Sequence, residues 1–110
     1  MTIVTDEQVG VAHAYLNEQP HPLALAEWRL MKAKIARQRR HAELYEGVKG
    51  TVGEREARIE LDNEYGNLRF LEAEAFFKLK DEEARVQGAA TTIKIWEREK
   101  YNAQAVERVR

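Results

Sequence analysis

LALAEWRLMKAKIARQRRHAELYE, residues 23–46, is the stretch on which the fold turns. It holds neither Gly nor Pro, and most of its residues favour helix. Ala24, Trp28, Met31, Ile35, Gln38, Ala42 and Tyr45 recur at alternating steps of four and three, a coiled-coil-like seam with one polar interruption at Gln38. A helix of about 24 residues would be roughly 36 Å long. Gly47 and Gly50 end it and supply a turn.

Working outward, Thr51-Val52-Gly53-Glu54 has the pattern of a capping box and opens a helix through about Leu61. Asp62-Asn63 either interrupts that helix or caps the next one, so residues 52–106 read as one helix or two. From Glu64 to about Val106 the apolar positions Leu68, Leu71, Ala75, Leu79, Val86, Ala89, Ile93 and Trp96 keep near-helical spacing. Gly66 and Gly88 weaken this helix by about 1 kcal/mol each relative to Ala. Thr91–Trp96 favours strand locally, but it lies inside the helical pattern without turn signals and is read as helix.

On the N-terminal side, Thr5-Asp6-Glu7-Gln8 is another capping box, starting a short helix to about Asn17 with Val9, Ala12, Tyr15 and Leu16 on one face. Gln19-Pro20-His21-Pro22 stops it, because proline lacks an amide hydrogen and disfavours helix in the residue before it. The organisation expected is a short N-terminal helix and Pro-containing linker over 1–22, then a helical hairpin domain over 23–110. The fold class is all-α: a long antiparallel helical hairpin preceded by a short helix. A two-helix hairpin has little interior, and Trp28, Leu30, Phe70, Phe76, Phe77 and Trp96 are too numerous for one seam. The expectation is therefore a homo-oligomer formed by helix packing. Its oligomer or core contacts are assigned to Trp28, Met31, Ile35, Tyr45, Leu68, Leu71, Phe76, Ile93 and Trp96.

The 110 residues suit one domain. An apolar share of 44% with only 2 prolines and 6 glycines excludes a disordered tail or linker. Without Cys or Ser there is no disulfide, thiolate ligand, thiol nucleophile or serine triad. His13, His21 and His41 are scattered, with no helical pairing suited to a metal; His21, between two prolines, reads as exposed loop. Gly47-Val-Lys-Gly-Thr-Val-Gly53 lacks the order of a phosphate loop and follows a helix rather than a strand. No enzymatic activity, metal or cofactor is expected. Nor is a membrane span, since no apolar run approaches roughly 18 residues. The N-terminal stretch carries acids where a signal peptide has bases, so a cytoplasmic protein is expected.

Charge is segregated along the chain. Residues 29–41 hold six Lys and Arg and no acid, residues 54–83 hold ten acids and five bases, and residues 85–110 hold six bases and three acids. A basic helix attracts phosphates by counterion release, and neighbouring aromatic rings can stack bases. Arg29, Lys32, Arg37, Arg39, Arg40 and His41 are the candidate nucleic-acid contacts. The plainer reading pairs these cations with the acids of 54–83 and buries Trp28 in the seam.

The order of motifs carries a resemblance. Leu44-Tyr45-Glu46-Gly47 ends the basic helix, GTVGEREA follows at 50–57, and Leu61-Asp62-Asn63-Glu64-Tyr65 opens the long helix. Ile95-Trp96-Glu97-Arg98 and Tyr101-Asn102-Ala103 lie near its end. Over residues 23–103 this resembles small helical proteins encoded by tailed bacteriophages beside DNA-recombination genes. In outline it is similar to the phage recombination mediators, which load a RecA-like recombinase onto single-stranded DNA and displace the single-strand-binding protein. The resemblance implies a multimeric all-helical assembly that binds single-stranded DNA, with the recombinase and single-strand-binding protein as partners. It matches the mediators' basic positions to Arg39 and His41, with Arg40 adjacent; His41 stands where a permanent cation is expected. The alternative function is a non-catalytic helical adaptor, virion assembly factor or host inhibitor without nucleic-acid binding.

Overall fold

The computed structural model describes residues 3–109. Four helices follow in order: α1 (Asp6–Leu16), α2 (Pro22–Gly47), α3 (Val52–Glu60) and α4 (Asn63–Val109). No strand forms among the described residues. The contacts gather in two units, one joining the N-terminal segment up to Leu23 with the chain from Asp81 onward, the other spanning Ala24–Lys80.

In the first unit, the Thr5 hydroxyl accepts from the Gln8 amide at 3.1 Å while the Gln8 side chain accepts from the Thr5 amide at 2.9 Å, the capping box in full. The helix so started lies antiparallel to the C-terminal part of α4. The Ile3 amide donates to Glu99, the Trp96 indole donates to Asp6 at 2.8 Å, and the Tyr15 hydroxyl donates to Glu82 at 2.5 Å. Val4, Val9 and Ala12 are buried. His21 is half-buried rather than exposed, and its Nδ1 accepts from the Leu23 amide at 3.0 Å. That bond satisfies one of the amides left without a partner at the start of α2, where Pro22 has none to offer.

In the second unit, α2 and the first part of α4 run antiparallel. Arg40 near the end of α2 meets Asp62 and Glu64 at the start of α4, and Arg37 meets Glu72 further along it. Asp62 resolves the question of the 52–106 segment. Its carboxylate accepts from the Tyr65 amide at 2.8 Å, capping α4 and separating it from α3. From there α4 continues unbroken for 47 residues, through Gly66 and Gly88. Ile59 of α3 is 1% exposed, the best-buried side chain here, with Tyr65 also buried. The α2–α3 turn needs Gly50, whose φ of +132° is closed to most side chains.

The face of α2 that turns inward differs from the expected seam. Ala26 and Leu30 are buried, and Ala33, Arg37, Arg40, His41 and Leu44 are half-buried. They form a 4-3-4-3 stripe of their own. Trp28, Met31 and Ile35 lie on roughly the opposite side of the helix at 3.6 residues per turn, and are 53%, 62% and 50% exposed. The reading of Trp28 as buried in the hairpin seam is therefore corrected. The cause is electrostatic: Arg37 and Arg40 find carboxylates on α4 when the small residues Ala26 and Ala33 face inward, and the bulky set would hold them apart.

Candidate interaction surface

The six candidate nucleic-acid contacts divide into two groups. Arg40 forms a two-nitrogen fork with the Asp62 carboxylate, at 3.1 Å and 3.0 Å, and reaches Glu64 at 3.4 Å. That guanidinium holds the Asp62 carboxyl below its ordinary range, helped by the Tyr65 amide. The hydrogen bond to Asp62 in turn raises the affinity of Arg40 for its proton. Arg37 donates to Glu72. His41 Nε2 lies 3.1 Å from Glu56 of α3, and its ring stacks on Tyr45 at 6.2 Å. These three residues knit α2, α3 and α4 together, and the acids of residues 54–83 supply their partners.

Arg29, Lys32 and Arg39 are exposed on α2, as is Lys34. Among the described residues none of the four forms an ion pair, and the Lys32 ammonium sits 4.2 Å over the Trp28 ring. Lys32 and Arg39 border one side of the Trp28–Met31–Ile35 stripe, and Lys34 lies beyond the other.

The nine oligomer or core candidates also divide. Tyr45, Leu68, Ile93 and Trp96 are half-buried within the chain. Trp28, Met31, Ile35, Leu71 and Phe76 remain at least half exposed, so any packing role for them lies with a partner. On α4, Leu68, Glu72, Ala75 and Leu79 turn toward α2, while Phe70 and Phe77 stand on the far side, 64% and 77% exposed. Their separation by one heptad in the sequence was the available signal for a second outer stripe, and the hairpin seam did not use it.

Compared with family models, with curated proteins and with solved structures, the chain matches none. The surface itself must carry the argument. Elsewhere, α1 and α4 enclose an open groove of about 570 Å³ lined by Val4, Val11, Tyr15, Arg85 and Gly88, among others. Among the described residues, no three His, Asp or Glu stand close enough to hold a metal, and no helix is long and apolar enough to cross a membrane.

Proposed function

We propose that this chain is a non-catalytic helical assembly protein that acts by self-association through the outer face of α2. The observation that carries this reading is the exposed stripe of Trp28, Met31 and Ile35, three large apolar side chains on consecutive heptad positions. Burying their exposed halves gains on the order of 1 kcal/mol each, about 3 in all. Bringing two chains together costs at least about 4 kcal/mol. A stable complex therefore needs a comparable stripe on the partner. Light scattering on the protein as it elutes from a sizing column tests the reading. The expected mass rises above the protomer's 12.8 kDa as concentration increases; a constant protomer mass would reject it.

A second reading is favoured by the exposed cations. Arg29, Lys32, Lys34 and Arg39 are not paired with acids among the described residues, and Trp28 lies among them with a face available for stacking. In the manner of the recombination mediators that the motif order resembles, the assembly would bind single-stranded DNA in the host cytoplasm and help load a RecA-like recombinase. Binding summed over several copies would compensate for a modest surface on each. Fluorescence anisotropy of a labelled oligothymidylate at two salt concentrations tests this reading. Saturable binding that weakens steeply with salt, and is lost in Arg29→Glu/Arg39→Glu, is expected. Absence of binding at low salt by the assembled protein would leave self-association as the whole function.

A further inference from the structure

We infer that the outer stripe of α2 docks, antiparallel, on the outer stripe of α4 in a second copy, so that the chain associates head to tail. This rests on the self-association reading and specifies its interface. The two stripes match in period and complement one another in size. On α2, Trp28, Met31 and Ile35 are all bulky; on α4, Gly66, Phe70, Ala73 and Phe77 alternate small and large at the same 4-3-4 steps. Nothing lies within 4 Å of where a Cβ on Gly66 would stand, so that position is open to an incoming side chain. In the antiparallel register that sets Trp28 beside Phe77, Ile35 falls beside Phe70 and Met31 falls over Ala73. The same register sets Lys32 beside Glu74.

Charge selects this pairing over the symmetric ones. In an antiparallel helix pair, the flank clockwise of one stripe meets the clockwise flank of the other. That flank carries Lys32 and Arg39 on α2, and Glu74 on α4. Two α2 stripes packed antiparallel would set Lys32 and Arg39 against their own copies, and two α4 stripes would set Glu74 against Glu74. Parallel packing of two α2 stripes would set the cations against Glu27 and Lys34, which cancel. Only α2 against α4 unites opposite charges. Such a contact uses a different surface on each copy, so every protomer retains one free α2 stripe or one free α4 stripe until a ring closes or a filament ends.

A mixing experiment tests the inference. Ile35→Glu blocks only the α2 stripe and Phe70→Glu only the α4 stripe; both positions are exposed, so helicity by circular dichroism should match the parent. Each variant alone should run as a protomer. Mixed in equal amounts they should form a complex of two chains that grows no further, because one good α2 stripe meets one good α4 stripe. If Phe70→Glu assembles like the parent, or if the mixture stays monomeric, the head-to-tail contact is wrong while self-association stands. If the parent itself is a protomer at every concentration, both readings fall. Lys32→Glu and Glu74→Lys, which leave both apolar stripes intact, provide the same mixing test should either apolar variant lose helicity.

Discussion

Asp62 performs two tasks with one carboxylate: it caps α4 through the Tyr65 amide and it receives the Arg40 fork. Asparagine retains a side-chain oxygen for the cap but loses the charge, whereas alanine loses both. Thermal unfolding should therefore rank parent above Asp62→Asn above Asp62→Ala, and equal melting temperatures for the two variants would show that the ion pair contributes nothing. Ile59 offers a larger effect at the same scale. It is 1% exposed, so Ile59→Ala leaves a cavity among α2, α3 and α4 and should cost about 2–5 kcal/mol in chemical denaturation. Gly50 is a backbone case: alanine there would be strained at positive φ, and its Cβ would meet the Glu54 carboxylate at 2.5 Å. The expected loss is about 1 kcal/mol or more.

At the scale of elements, α2 is a helix with two seams, and adjacent residues on it should behave oppositely. Leu30 is buried and Met31 is exposed. Leu30→Ala should lower the stability of the chain by about 2–5 kcal/mol at any concentration. Met31→Ala should leave the unfolding of dilute protein nearly unchanged and instead shift assembly to higher concentration, as read by sedimentation. Comparable destabilisation by both would mean that the outer stripe is part of the fold. This two-sidedness also marks where the sequence stopped being legible. Helix ends were readable because their causes are local: Thr5 with Gln8, the prolines at 20 and 22, Gly50, and Thr51 accepting from the Glu54 amide at 3.2 Å. The inward face of α2 was not, because two 4-3-4 patterns overlap in residues 24–45 and apolar bulk points to the wrong one. The choice is made by residues distant in sequence, Asp62 and Glu72, which draw Arg40 and Arg37 inward. Half of the candidate cationic site was absorbed into the fold for that reason.

For the whole molecule, the same kind of reasoning gives opposite pH sensitivities to the two units. In the unit spanning 24–80, Asp62 titrates below the ordinary carboxylate range because Arg40 and the Tyr65 amide favour its charged form. Its contribution is present above about pH 4, the unfolded value, and is lost as pH falls through the lower folded value. In the other unit the Tyr15 hydroxyl is pushed up to about 12, by burial first and then by the Glu82 carboxylate it donates to. Its contribution is complete below about pH 10, the unfolded value, and is lost as pH rises through 12. Acid should therefore loosen the α2–α4 pairing, and alkali should release α1 from α4. Trp96 reports the second event, since its indole is bonded to Asp6 of α1. In a Trp28→Phe background its fluorescence should change at the alkaline limb, and adding Tyr15→Phe should abolish that dependence, because no hydroxyl remains to ionise against Glu82. An alkaline transition that survives Tyr15→Phe would assign the release of α1 to another group. Glu82, 3% exposed beneath Tyr15, makes that outcome informative: removing the hydroxyl takes away a donor to this buried carboxylate, so Tyr15→Phe should also bind α1 more weakly at neutral pH.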